Sequence, residues 1–216
     1  MLKYGYIDND IILKLAACTL FWEAMSCLNL SKENLFVNIT SRFYFRNSRK
    51  LKSRYPVQIR EEARSIALEL KPIKQDEQRD ELYQSLLIEG VDAGEALLIA
   101  SLMNSPDGYC LLTGDKRCLI SLSNNNDEDI EKVKNQIRGK VICLEQIILA
   151  MIEINGFELI LPKVLQAKEY DISLKSIFGS GEAATRENVI SSLSAYIKDL
   201  QTQSNGILID TELLLT

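Results

Sequence analysis

Four short apolar runs, each stopped by polar or turn-forming residues and separated from the next by helical periodicity, narrow the folds open to this chain. The first, Tyr4-Gly5-Tyr6-Ile7, ends at Asp8-Asn9-Asp10. The second, Leu35-Phe36-Val37-Asn38-Ile39, ends at Thr40-Ser41, a reasonable helix cap. The third, Tyr109 to Thr113, stops at Gly114-Asp115, and the fourth is Val141 to Leu144. Runs this short and this rich in β-branched and aromatic residues read as buried strands. Between the first two, Ile12, Leu15, Ala16, Leu20 and Trp22 recur at near-helical spacing. Residues 41–70 carry a helical pattern broken at Tyr55-Pro56, where proline begins a new helix, and Pro72 closes the pair. Glu77 to Ile88 reads as another helix. Ala96 to Met103 is an apolar one, interrupted only by Ser101 and ended by Ser105-Pro106-Asp107-Gly108. A short helix and a solvated polar loop, Asn124 to Asp129, precede the fourth strand. This alternation predicts an α/β fold with a mostly parallel sheet covered on both faces, a three-layer α/β/α arrangement.

Beyond Glu145 only helical patterns remain: Ile147 to Ile154, Leu159 to Leu165 and Glu187 to Leu200. In the last, Val189, Leu193, Tyr196, Ile197 and Leu200 share one face, and Phe178-Gly179-Ser180-Gly181 breaks the chain before it. The expected organisation is an α/β domain over residues 1–145 and a helical extension over 146–216, packed on that domain or on a partner. A chain of 216 residues, 46% hydrophobic, can fill one sizeable core with such an appendage.

Composition then limits the chemistry. There is no histidine, which excludes Ser-His-Asp and Cys-His nucleophilic sites and His-ligated zinc hydrolases. The five cysteines, Cys18, Cys27, Cys110, Cys118 and Cys143, form no C-x-x-C pair and read as reduced core thiols of a cytoplasmic protein. No apolar stretch approaches membrane-spanning length, and the first residues lack a secretion-signal pattern. Any hydrolysis must therefore use carboxylates, lysines or hydroxyls, with or without an oxygen-loving metal.

Carboxylates gather where such chemistry would sit. In an open parallel sheet, ligands collect at the carboxyl ends of the strands. Asp8 ends the first strand and Asp115 follows the third. Asp92 and Glu95 open the helix that leads into the third strand, so they reach the same rim and share one helical face. Acids crowded together repel and raise one another's pKa, a penalty that Mg²⁺ or Mn²⁺ would remove. Such a cation would also activate water and steady a leaving oxygen. Each acid has a plainer use: Asp92 and Glu95 have the form of a capping box, Asp115 of a turn residue, and Asp8 to Asp10 of a helix cap.

Ile7-Asp8-Asn9-Asp10, Asp92-Ala93-Gly94-Glu95-Ala96 and Leu111-Leu112-Thr113-Gly114-Asp115-Lys116 resemble the three signatures of PIN-domain proteins, in order and spacing over residues 1–145. The resemblance implies a PIN-like fold and a metal-dependent endonuclease, commonly acting on RNA and often the toxin of a bacterial toxin–antitoxin pair. It implies Asp8, Glu95 and Asp115 as Mg²⁺ or Mn²⁺ ligands, Asp92 as a further catalytic acid and Thr113 as a supporting hydroxyl. The chain departs from the pattern after the second strand. There the helix begins Thr40-Ser41-Arg42-Phe43-Tyr44-Phe45, and no acid appears before Glu61.

Although the net charge is −5, Arg42, Arg46, Arg49, Lys50, Lys52, Arg54 and Arg60 follow one another with no acid between them. Such a stripe suits the phosphate backbone of RNA or DNA, with Arg42, Arg46, Arg49 and Lys50 as expected contacts. It would equally suit an acidic antitoxin or other protein partner. The interleaved Phe43, Tyr44, Phe45 and Tyr55 are expected in the core. Two other functions fit parts of the pattern. A catalytically inactive PIN-like module would bind RNA or protein. A haloacid-dehalogenase-type phosphatase would use Asp8 as nucleophile, although Asp115 lacks the second aspartate four residues on. The number of copies in the assembly, including a homodimer, is left open.

Overall fold

The computed structural model describes residues 2–73, 81–106 and 108–215. Its centre is a parallel sheet of β1 (Tyr4–Ile7), β2 (Leu35–Val37), β3 (Lys71–Pro72), β4 (Tyr109–Thr113) and β5 (Val141–Cys143), in the order β3-β2-β1-β4-β5. All four strand pairs are parallel, with Gly5 opposite both Leu35 and Cys110. The expected α/β class and three layers are present.

Each crossover is helical: α1 (Asn9–Ala17) and α2 (Phe21–Cys27); α3 (Ser41–Asn47), α4 (Arg49–Arg54) and α5 (Val57–Glu69); α6 (Glu81–Ser85) and α7 (Ala93–Met103); α8 (Lys116–Asn124) and α9 (Glu128–Ile137). After β5 come α10 (Leu144–Asn155), α11 (Phe157–Leu165), α12 (Ile172–Ile177) and α13 (Arg186–Gln203). The strands' two-residue period divides the core between the faces. Ile7, Leu35, Val37, Cys110, Leu112 and Ile142 pack with α1, α2, α5 and α10. Tyr6, Leu111, Val141 and Cys143 pack on the other side with α6, α7 and α9. Alternation is absent within α7 because Ala96 to Leu102 are all buried, the helix being wedged between sheet and α9.

Several boundaries differ from the sequence reading. The second strand stops at Val37, and Asn38 instead accepts hydrogen bonds from the Thr40 amide and hydroxyl, which turns the chain into α3. Pro72, expected only to close a helix pair, lies in β3, an edge strand where its missing N–H costs no ladder bond. The helical stretch after Ser41 breaks at Ser48 as well as at Pro56, because the Ser48 hydroxyl caps α4. Residues 77–80 of the expected helix ending at Ile88, and Asp107 of the expected turn, lie outside the described residues.

The segment after Glu145 shares the main core: Ile147, Met151, Phe178, Val189 and Leu193 belong to the same cluster as Ile7 and Ile11. Its last stretch runs beside β5, with the Gly139 amide donating to Ile207 O and the Ile209 amide to Val141 O. That contact covers an otherwise open sheet edge. All five cysteines are buried and unpaired. Among the described residues no helix is long and apolar enough to cross a membrane.

Candidate active site

Strand order reverses at β1, whose neighbours β2 and β4 belong to the two halves of the sheet. Such a switch point opens a crevice at the carboxyl ends of the strands. Here a cavity of about 860 Å³ occupies that position, and Asp8, Asp92, Glu95 and Asp115 all line it. The four acids that sequence order brings to one rim thus line one cavity.

Asp8 sits where a helix cap would, at the start of α1, but its side chain makes no capping hydrogen bond. The Thr113 hydroxyl approaches its Oδ2 at 3.5 Å, and the same hydroxyl accepts the Asp115 amide at 3.2 Å. Thr113 thus ties the ends of β1 and β4 together from a buried position. Burial first, then the charges of Asp10 and Asp92, raises the Asp8 pKa to about 7; the Asn9 amide pulls it down, and Asp115 adds a smaller upward push.

Asp92 and Glu95 form the capping box expected from their spacing. Asp92 Oδ1 accepts the Gly94 and Glu95 amides, and Glu95 Oε2 accepts the Asp92 amide at 2.8 Å. Capping uses one oxygen of each acid. Glu95 is 6% exposed, and its pKa rises to about 8, mainly through burial; the bond from the Asp92 amide opposes the rise, while Asp8, Asp92 and Asp115 reinforce it.

Asp115 caps α8 through the Arg117 and Cys118 amides. The Arg117 guanidinium adds a two-point contact, Nε to Oδ1 at 3.3 Å and Nη2 to Oδ2 at 2.8 Å. Partial burial works to raise the Asp115 pKa, but these bonds and the Arg117 charge outweigh it and hold the group below its ordinary value.

The cavity also contains residues that sequence reading did not single out. Lys14 is buried and pairs with both Asp10 and Asp171, the latter at 2.7 Å. Gly114 permits this arrangement, because a Cβ there would meet Asp10 Oδ2 at 2.5 Å. Lys116 pairs with the buried Glu145 at 2.7 Å, and the Ser173 hydroxyl lies 2.5 Å from Glu145 and 2.6 Å from Asp171. Asp171, Ile172, Ser173 and Tyr196 form part of the wall, so helices beyond residue 145 help to build the crevice. Asn38, at the end of β2, also lines the cavity. The one sequence signal for Lys14 was its i,i+4 spacing from Asp10.

Of the expected nucleic-acid contacts, Lys50 lines the cavity, joined by Arg54. Arg42, Arg46 and Arg49 are exposed but outside its lining. The aromatics divide: Phe45 and Tyr55 are buried as expected, whereas Phe43 is 54% exposed and Tyr44 38%. The core expectation fails for Phe43 and Tyr44 because α3 buries only its Ser41 and Phe45 side, leaving the intervening positions in solvent.

Among the described residues, no three acid or cysteine side chains are already drawn together as a metal-ligating group. The donor chemistry nevertheless fits a hard divalent cation: several carboxylates, two of them with strongly raised pKa, face one cavity. Asn9 Oδ1, buried on the same wall, has no hydrogen-bond partner. No family model, curated protein or solved structure matches this chain.

Proposed function

We propose that the chain is a metal-dependent nuclease of PIN-like type, hydrolysing phosphodiester bonds of RNA or DNA in the cavity at the β1/β4 switch point. The observation that carries this reading is Asp8, a carboxylate unused by its own helix and surrounded by Asp10, Asp92 and Asp115. Asp8, Glu95 and Asp115 would hold Mg²⁺ or Mn²⁺. When bound, the cation would lower the pKa of water and offset charge on the leaving oxygen. The chain's own groups do the rest. The capping box fixes Glu95, while the second oxygen of Asp92 orients the attacking water. Thr113 holds Asp8 and Asp115 in register across two strands. Lys50 and Arg54 offer positive charge to the phosphate backbone beside the acids.

The phosphatase reading would need Asp10 as acid/base two residues after the Asp8 nucleophile, and Lys14 holding Asp10 speaks against it. A catalytically silent PIN-like binding module is favoured by the absence of an acid between Thr40 and Glu61 and by the Arg117 guanidinium seated on Asp115. Incubation with labelled RNA and DNA in Mn²⁺ separates the two. The nuclease reading predicts cleavage that is abolished by EDTA and reduced at least about 100-fold in Asp115→Asn, in line with loss of a metal ligand. Cleavage unaffected by Asp115→Asn would remove the site assignment, and no cleavage of either polymer would leave the binding module.

A further inference from the structure

The cavity carries more than one cation, and their commitments differ. Lys14 is buried between two carboxylates, and Lys116 is tied to a glutamate that is 2% exposed. Withdrawing either would strand a buried charge. Arg117 is different: its side chain is 82% exposed, and among the described residues its one ion pair is with Asp115. That pair can open without unfolding the start of α8, since Asp115 keeps the amides of Arg117 and Cys118. With the guanidinium so exposed, water screens the pair and lets it open. Arg117 also lines a neighbouring open groove of about 550 Å³ together with Ser121 and Asn124, so the residue borders both groove and acid-lined cavity. Glu95 and Asp10 act on its charge as well, placing it within the field of the acids.

We propose that Arg117 is a phosphate clamp held in reserve by Asp115, exchanging the carboxylate in the metal-free protein for a non-bridging phosphodiester oxygen in the loaded complex. The planar fork that now spans both Asp115 oxygens is the geometry that also grips a phosphate at two points. The exchange keeps the local charge balanced. In the free protein Arg117 neutralises Asp115, and in the loaded complex a divalent cation does so while Arg117 neutralises the substrate. This inference rests on the functional reading above.

The test compares wild type with Arg117→Gln in two titrations: Mn²⁺ alone by calorimetry, and a fluorescent phosphorothioate oligonucleotide, which resists hydrolysis, by anisotropy in Mn²⁺. Arg117→Gln should bind Mn²⁺ about five-fold more tightly, because a competitor for Asp115 is gone. It should bind the oligonucleotide about ten-fold more weakly, because the clamp is lost. Equal or weaker Mn²⁺ binding by the variant overturns the exchange, and unchanged oligonucleotide affinity overturns the clamp. A wild type that binds Mn²⁺ beside an indistinguishable variant removes this inference alone. A wild type that binds no Mn²⁺ removes the functional reading with it.

Discussion

Asp8 and Glu95 carry the raised carboxyl pKa values of the acid-lined cavity. Asp8 and Glu95 have ordinary values of 3.8 and 4.5 and are raised to about 7 and about 8 in the fold, burial being the largest cause for each. Over that interval the folded state binds more protons than the unfolded chain, so stability falls as pH rises. The favourable contribution is complete below about pH 4 and gone above about pH 8. Asp115 and Asp171, whose pKa values are lowered, act in the opposite sense but only at acid pH below the ordinary aspartate range. Thermal melts in EDTA should therefore show Tm lower by about 10 °C at pH ~8.5 than at pH ~5.5. Mn²⁺ should recover most of that loss at the higher pH. A metal-free Tm that climbs over the same range would contradict the placement of these acids.

Glu95 allows a cleaner separation of folding from function. Glu95→Gln keeps an oxygen to accept the Asp92 amide, so the start of α7 survives while the charge disappears. The variant should lose Mn²⁺ binding and cleave nucleic acid at least about 100-fold more slowly. Its Tm in EDTA near pH 8 should equal or exceed that of wild type. A variant that cleaves as well as the parent would take Glu95 out of the mechanism.

Helices α1 and α12 meet through buried charge, not through an apolar seam alone. Lys14 on α1 joins Asp10 of its own helix to Asp171, the cap of α12, and Ser173 continues the chain of contacts to Glu145. Lys14→Met leaves Asp171 buried without its cation and should cost about 3–5 kcal/mol. For a chain of this length that is a fall in Tm of roughly 10 °C. The pair Lys14→Met with Asp171→Leu should recover much of it, because two apolar groups can replace an ion pair. Denaturant titration measures both, and a Lys14→Met protein as stable as wild type would show that the pair is not structural.

The same elements show what could be read in advance. Strands β1, β4 and β5 were legible because each is an apolar run closed by Asp, Gly or a helix start. β3 was not, since Lys71 and Pro72 are both exposed and carry no apolar pattern. α12 has six residues and begins with an Ile172 that is 85% exposed, so periodicity had nothing to detect. Lys14 looked like any polar position on an amphipathic helix, because its partner lies far along the chain.

Taken as one body, the molecule places four acids from three distant segments on one sheet edge by topology alone: strand ends supply Asp8 and Asp115, and the start of a returning helix supplies Asp92 and Glu95. That much follows from sequence order. The closing wall does not, because it depends on α10 packing on α2, α13 on α8, and the Lys14–Asp171 pair joining α1 to α12. Those contacts turn an open crevice into a cavity with acids on one part and buried lysine pairs on another. A cation held there would stitch β1, β4 and α7 together and couple catalysis to the integrity of the sheet.

Anomalous diffraction from crystals grown in Mn²⁺ would examine this arrangement. The expected result is a peak among the carboxylates of Asp8, Glu95 and Asp115, at about 2.0–2.3 Å from their oxygens, with Arg117 withdrawn from Asp115. A cavity without a peak, and Arg117 still seated on Asp115 at saturating Mn²⁺, would contradict it.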